Sequence, residues 1–140
     1  MDLPPRERLL EIFAATRTIA VVGASADPEK DAHTVPRYLQ EHGYRIIPVN
    51  PRGGTILGEE ARPSLSAVDV PVDVVDVFRP PDEGPAIARA AAAIGALVLW
   101  LQPGAESDEA VAAAEDAGLT VVAGHCMRAT HRLLGLGPAG

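Results

Sequence analysis

Thr18-Ile19-Ala20-Val21-Val22-Gly23-Ala24-Ser25 is a short, β-branched, nearly all-apolar run that ends on glycine and turns polar. A continuous apolar run without clean alternation suits a strand covered on both faces, as a parallel sheet requires. Working outward, similar runs recur at residues 45–49, 72–78, 96–101 and 119–123. Asp73 and Asp76 interrupt the third of these and are expected toward its ends or at a sheet edge.

The segments between the runs read as helices. Residues 6–15 put Leu9, Leu10, Ile12 and Phe13 on one broad face. Residues 34–42 place Pro36 in a first turn, with Asp31 or Thr34 as cap and Gly43 as stop. Residues 83–94 align Ile87, Ala90, Ala91 and Ile94 on one stripe. A fourth helix opens with Glu106, Asp108 and Glu109, which favour a helix N-terminus, and stops at Gly118. A last one covers about residues 126–134. A leading helix and five strands with helical crossovers spell an α/β fold. The expectation is a doubly wound, five-stranded parallel sheet, Rossmann-like, with helices on both faces and strand order 3-2-1-4-5. Residues 1–140 read as one domain, and only residues 50–71 form a long irregular loop.

Composition narrows the partners. The chain of 140 residues is 47% hydrophobic and 22% charged, which is globular rather than disordered. Its 19 acids against 12 bases give a net charge of −7. That speaks against nucleic acid and against an anionic membrane face, both of which need a clustered basic excess. The single cysteine, Cys126, excludes an internal disulfide framework and a multi-cysteine metal site. No signal-peptide core opens the chain, and the longest apolar run, residues 90–101, is broken by Gly95. A bilayer span needs about 20 apolar residues. A cytoplasmic location is expected.

Open parallel sheets bind ligands beyond the carboxyl ends of their strands. The residues to read are therefore Gly23-Ala24-Ser25-Ala26, Asn50-Pro51-Arg52, Phe78-Arg79-Pro80, Gln102-Pro103-Gly104 and His125-Cys126. Small residues, amides, hydroxyls, two arginines and a flat ring suit an anionic nucleotide. They do not suit a metal, which wants converging His, Asp or Glu. The Gly23 turn lacks the later glycines of a dinucleotide fingerprint, with Ser25 and Pro28 in their places. It either offers N–H groups to phosphate or merely turns the chain.

Asn50 stands where NAD enzymes place an acid for the ribose, and Arg52 follows on a Gly-Gly loop. An arginine there can fork onto a ribose phosphate, the 2′ group of NADP or the 3′ group of coenzyme A, or simply be solvated. Phe78 could flank adenine or plug the core. Arg79 could reach phosphate or pair with Asp76 or Asp82. Trp100 reads as core. Cys126, beside His125 at a helix start, is either a nucleophile or a small buried hydrophobe. His33, His42 and His131 lack metal-ligand spacing and read as surface or capping residues.

Taken in order, Ile19–Ser25, Pro48–Gly54, Val75–Arg79 and Trp100–Gly104 give the chain a resemblance to a known family. It resembles the stand-alone coenzyme A-binding domain proteins, which are similar to the N-terminal domain of the succinyl-CoA synthetase α subunit. The resemblance implies a phosphate-cradling turn at Gly23, Ala24, Ser25 and Ala26, and a phosphate-meeting base at Arg52 beside Asn50 and Pro51. It implies a wall beside the nucleotide at Phe78 and Pro80, with Arg79 between them. It also implies a pantetheine path along Gln102, Pro103 and Gly104, and a matching cysteine at Cys126. His125 departs from the arginine that stand-alone relatives tend to carry, and the ligase's second domain, with its phosphorylated histidine, has no counterpart.

Binding is thus expected to carry over and ligase activity is not. The leading reading is a module for coenzyme A or an acyl-CoA, with room for a protein partner or a second copy of the chain. Its rivals are an NADP-dependent oxidoreductase, an acyl-transfer thiol enzyme using Cys126, and a structural subunit with a vestigial site.

Overall fold

The computed structural model describes residues 2–139. In chain order its first half forms α1 (Arg6–Ala15), β1 (Thr18–Val22), α2 (Asp31–Glu41), β2 (Arg45–Val49), β3 (Thr55–Ile56) and β4 (Glu59–Glu60). The second half forms β5 (Val74–Val77), α3 (Gly84–Ala93), β6 (Val98–Leu101), α4 (Asp108–Asp116), β7 (Thr120–Ala123) and α5 (Met127–Leu133). Five strands pair in parallel in the order β2-β1-β5-β6-β7, and β3 and β4 make a separate antiparallel hairpin.

Both faces of the sheet are covered, which is why its strands are apolar throughout. On one face, Leu9 and Phe13 of α1, Leu39 of α2 and Met127 of α5 pack with Ile19, Val21, Val74 and Trp100. On the other, Ala88 and Ala91 of α3 and Ala110 and Ala114 of α4 pack with Ala20, Val75 and Leu99. Small side chains bring α3 and α4 close together: a Cβ on Gly84 would lie 2.6 Å from that of Ala110. Ser107 caps α4 by accepting from the Ala110 N–H at 3.1 Å.

The doubly wound parallel fold stands, but its strand order corrects the expected one. Counting main-sheet strands alone, the order is 2-1-3-4-5, with the third strand on the far side of the first. Pro48 in β2 supplies the reason. A proline cannot donate to a ladder and is confined to edges. On the outer side of β2 the Arg62 N–H reaches the Pro48 carbonyl at 2.9 Å, and the Asn50 N–H reaches the Arg62 carbonyl at 2.8 Å. This short bridge occupies the edge that a third strand would have needed. The loop it belongs to is less irregular than expected, since it carries the hairpin, turned by Leu57 and Gly58, both at positive φ.

Three further expectations are corrected or refined. Asp76 is the next-to-last residue of β5, toward its carboxyl end, but it is not at a sheet edge: it sits fully buried in the central strand, in register with Val21 and Trp100. Asp73 does lie at the strand's start, where it accepts from the Arg17 and Thr18 N–H groups. Helix α2 begins at Asp31 rather than Thr34, with no side-chain cap, so Pro36 falls in its second turn. His131 is fully buried rather than on the surface, because Met127 and His131 of α5, with Leu134 just past its end, face the core. Its Nδ1 lies 2.7 Å from the Tyr38 hydroxyl, with Phe13, Tyr44 and His42 around the ring. Burial, and then His42, lower its proton affinity below the ordinary histidine value.

Candidate functional site

Strand order reverses between β1 and β5, so the turns that leave these two strands face each other. Gly23 makes that approach possible. Its φ is +88°, and a Cβ there would lie 2.9 Å from both the Phe78 carbonyl oxygen and Arg79 Cδ. Only glycine fits at such a position. The stem of Arg79 thereby crosses the Gly23 turn, while its guanidinium is held doubly by Glu83 at 3.1 and 2.7 Å. This bond raises the proton affinity of Arg79 and lowers that of Glu83. Glu83 is thus the partner of Arg79, in place of the expected Asp76 or Asp82.

The β1–α2 turn is anchored by a helix irregularity. Pro36 has no N–H, which leaves the Ala32 carbonyl free within α2. The Ser25 N–H takes that carbonyl at 3.2 Å, and His33 Nδ1 lies 2.8 Å from the Ser25 carbonyl oxygen. The Ser25 hydroxyl oxygen accepts from the Asp27 N–H at 3.0 Å. The Ser25 amide is therefore spent on the fold, and Ala26, exposed beside it, belongs to the open part of the turn.

Asn50 ties the second loop to the first. Its Nδ2 donates to the Ala24 carbonyl at 2.9 Å, and its Oδ1 accepts from the Arg52 N–H at 2.9 Å. Pro51 and Arg52 are exposed at the tip, and among the described residues the Arg52 guanidinium has no ion-pair or hydrogen-bond partner. Phe78 is half-buried against the α1/α2/α5 side of the core, with Pro80 exposed after it.

Further along the edge, Gln102 is buried and its Nε2 donates to both carboxylate oxygens of Asp76, at 2.9 and 3.1 Å. Burial pushes the Asp76 carboxyl up to about 7, against the opposing pull of Gln102 and the Val77 backbone. Pro103 and Gly104 are exposed, and the Gly104 N–H donates to Glu106 at 2.8 Å. Cys126 is half-buried at the start of α5, and the loop before it is pinned by Trp100 Nε1 donating to the His125 carbonyl at 2.7 Å.

The fold thus arrays the sequence-chosen residues along one edge, in the order Asn50–Arg52, Gly23–Ala26, Phe78–Pro80, Gln102–Gly104, Cys126. Four gaps of about 4.8 Å between neighbouring strands make this row roughly 19 Å long. A ligand touching both ends must be elongated. The groove of about 460 Å³ beside the hairpin contains none of these residues, and its Arg62 is already paired with Glu59. Sequence reasoning missed Asp76 and Glu83. The Arg79–Glu83 spacing of four was the available signal for the second.

The family model for the CoA binding domain matches residues 17–132. The chain belongs to the CoA-binding domain family. Protein YneT of Bacillus subtilis (strain 168) is 37% identical over 131 residues, covering 94% of this chain and 97% of that protein. A solved structure from Thermus thermophilus superposes with a TM-score of 0.89 at 42% identity, covering 93% and 98% of the two chains. The α subunit of the ADP-forming acetate–CoA ligase II of Pyrococcus furiosus is 36% identical over 73 residues. That match spans 51% of this CoA-binding domain protein and 16% of the ligase subunit. Among the described residues, no helix is long and apolar enough to cross a membrane.

Proposed function

We propose that this protein holds coenzyme A or an acyl-CoA along the carboxyl edge of its sheet, as a cytoplasmic binding module without ligase activity of its own. The observation that carries the reading is the unpartnered Arg52 at one end of the elongated row. An arginine without a carboxylate partner, on a loop clasped by Asn50, is the natural seat for a ribose phosphate. The Gly23 turn would take the pyrophosphate, Phe78 and Pro80 would flank the nucleotide, and Gln102, Pro103 and Gly104 would run beside the pantetheine arm toward Cys126. Polar groups along the edge are mostly engaged in holding loops, as Asn50, Ser25, Glu83 and Glu106 are. That suits a cradle better than turnover.

Isothermal calorimetry tests the ligand class. Coenzyme A is expected to bind at least about tenfold more tightly than NADPH, a difference of about 1.4 kcal/mol. Equal affinity, or a preference for NADPH, overturns the reading. The absence of ligase chemistry is tested separately by incubating acetyl-CoA, ADP and phosphate with the protein, where ATP formation would contradict it.

A further inference from the structure

Asp76 is an expensive residue for the centre of a sheet. Each of its flanking residues in β5 is valine, and its register neighbours Val21 and Trp100 are fully buried. A carboxyl removed from water costs several kcal/mol unless paired, and among the described residues no cation pairs with this one. Its partners are the Gln102 carboxamide and the Val77 backbone, and no charged side chain on the packed elements contributes to its titration. What Asp76 does accomplish is to orient Gln102, the first residue beyond β6 and a member of the candidate site.

A primary carboxamide has a donor end and an acceptor end, whereas an ionised carboxylate only accepts. While Asp76 is ionised, the Nε2 end of Gln102 must face it, as the two contacts show, and Oε1 is turned away from it. Once Asp76 is protonated it donates as well as accepts, and both orientations of the amide satisfy it. We propose that Asp76 is a positioning residue: it fixes the Gln102 carboxamide with its acceptor end toward the ligand edge, where it receives an amide N–H of the pantetheine arm. This rests on the coenzyme A reading above. It adds a residue that never touches the ligand and a proton that decides which face Gln102 offers. Binding is therefore favoured by ionised Asp76 and strengthens as pH rises through about 7.

The test compares the parent with Asp76→Asn, which keeps the shape and offers both a donor and an acceptor at every pH, as the neutral acid does. At pH 6 about nine-tenths of Asp76 is protonated and the Gln102 amide divides between its two orientations, which lowers the parent's apparent affinity by about twofold relative to pH 8. The parent and the variant are expected to bind coenzyme A nearly alike at pH 6, and the parent about twofold more tightly at pH 8. The ligand's own phosphate titration is common to both proteins and cancels in the ratio. With ADP, which has no pantetheine arm, the ratio is expected to stay constant. Coenzyme A binding with a constant ratio overturns the role of Asp76 and leaves the ligand reading intact. No coenzyme A binding to the parent at either pH overturns the ligand reading and this proposal with it. Carbon-13 NMR of aspartate-labelled parent gives a measure free of any variant: saturating coenzyme A is expected to move the Asp76 midpoint to lower pH, and an unmoved midpoint overturns the proposal.

Discussion

Arg52 ends the row of candidate contacts, and its side chain carries the sharpest expectation. A charge-assisted, forked bond to a phosphate on an exposed loop is worth about 1.5 kcal/mol. Arg52→Ala is expected to weaken coenzyme A by about tenfold and to leave dephospho-coenzyme A, which lacks the ribose phosphate, nearly unchanged in calorimetry. Equal losses for both would move the phosphate contact to Arg79, freed from Glu83. Gly23 answers to a different experiment. Gly23→Ala would put a Cβ against the Phe78 carbonyl at a φ of +88°, and denaturant melts are expected to show a loss of about 2 to 4 kcal/mol. Both positions were legible in the sequence, since a glycine closing an apolar run and an arginine after a strand end are local signals. Asp76 was not. An acid in an apolar run reads as its boundary, and what keeps Asp76 inside is Gln102, 26 residues away. His131 escaped for a related reason: that it faces inward is apparent only once α5 is placed against α1 and α2.

Elements were legible to the extent that their ends are set locally. β1, β2 and α1 occupy the residues their apolar patterns mark. The beginning of α2 was misplaced by a turn, because Pro36 looks like a first-turn proline until the Ser25 N–H is seen taking the carbonyl that Pro36 frees. Strand order needed one further inference that the sequence did allow, namely that Pro48 makes β2 an edge. At this scale the α3–α4 contact is the most constrained. Gly84→Ala adds a methyl 2.6 Å from the Ala110 Cβ. Despite the better helix propensity of alanine, it is expected to cost about 1 to 3 kcal/mol through overpacking. Adding Ala110→Gly should return part of that loss, beyond the sum of the single effects, in a double-mutant cycle. Simple additivity would show that α3 and α4 slide apart freely.

For the molecule as a whole, two buried titrating groups pull stability in opposite directions with pH. Asp76 is raised from 3.8 to about 7, so the folded state holds its proton more tightly than the unfolded chain. Its contribution is complete below about pH 4 and is lost as pH rises through 7. A tenfold change in proton affinity is about 1.4 kcal/mol, so the window holds at most roughly 4 kcal/mol. His131 is lowered, so its contribution is present above pH 6.5 and fades as pH falls below it. Melts of parent and Asp76→Asn from pH 4 to 8 are expected to diverge, the parent losing stability relative to the variant as pH rises. Parallel curves would mean that Asp76 titrates normally. The two edges of the sheet are equally unlike. At β2 the Arg62 bridge and Pro48 leave little ladder to extend, whereas β7, among the described residues, pairs with β6 alone. A sheet with two live edges can add copies without end, but one with a single live edge can only meet its own kind across a twofold axis. Any self-association through this sheet therefore closes at two copies, and sedimentation at rising concentration should show a dimer and never a ladder of larger species.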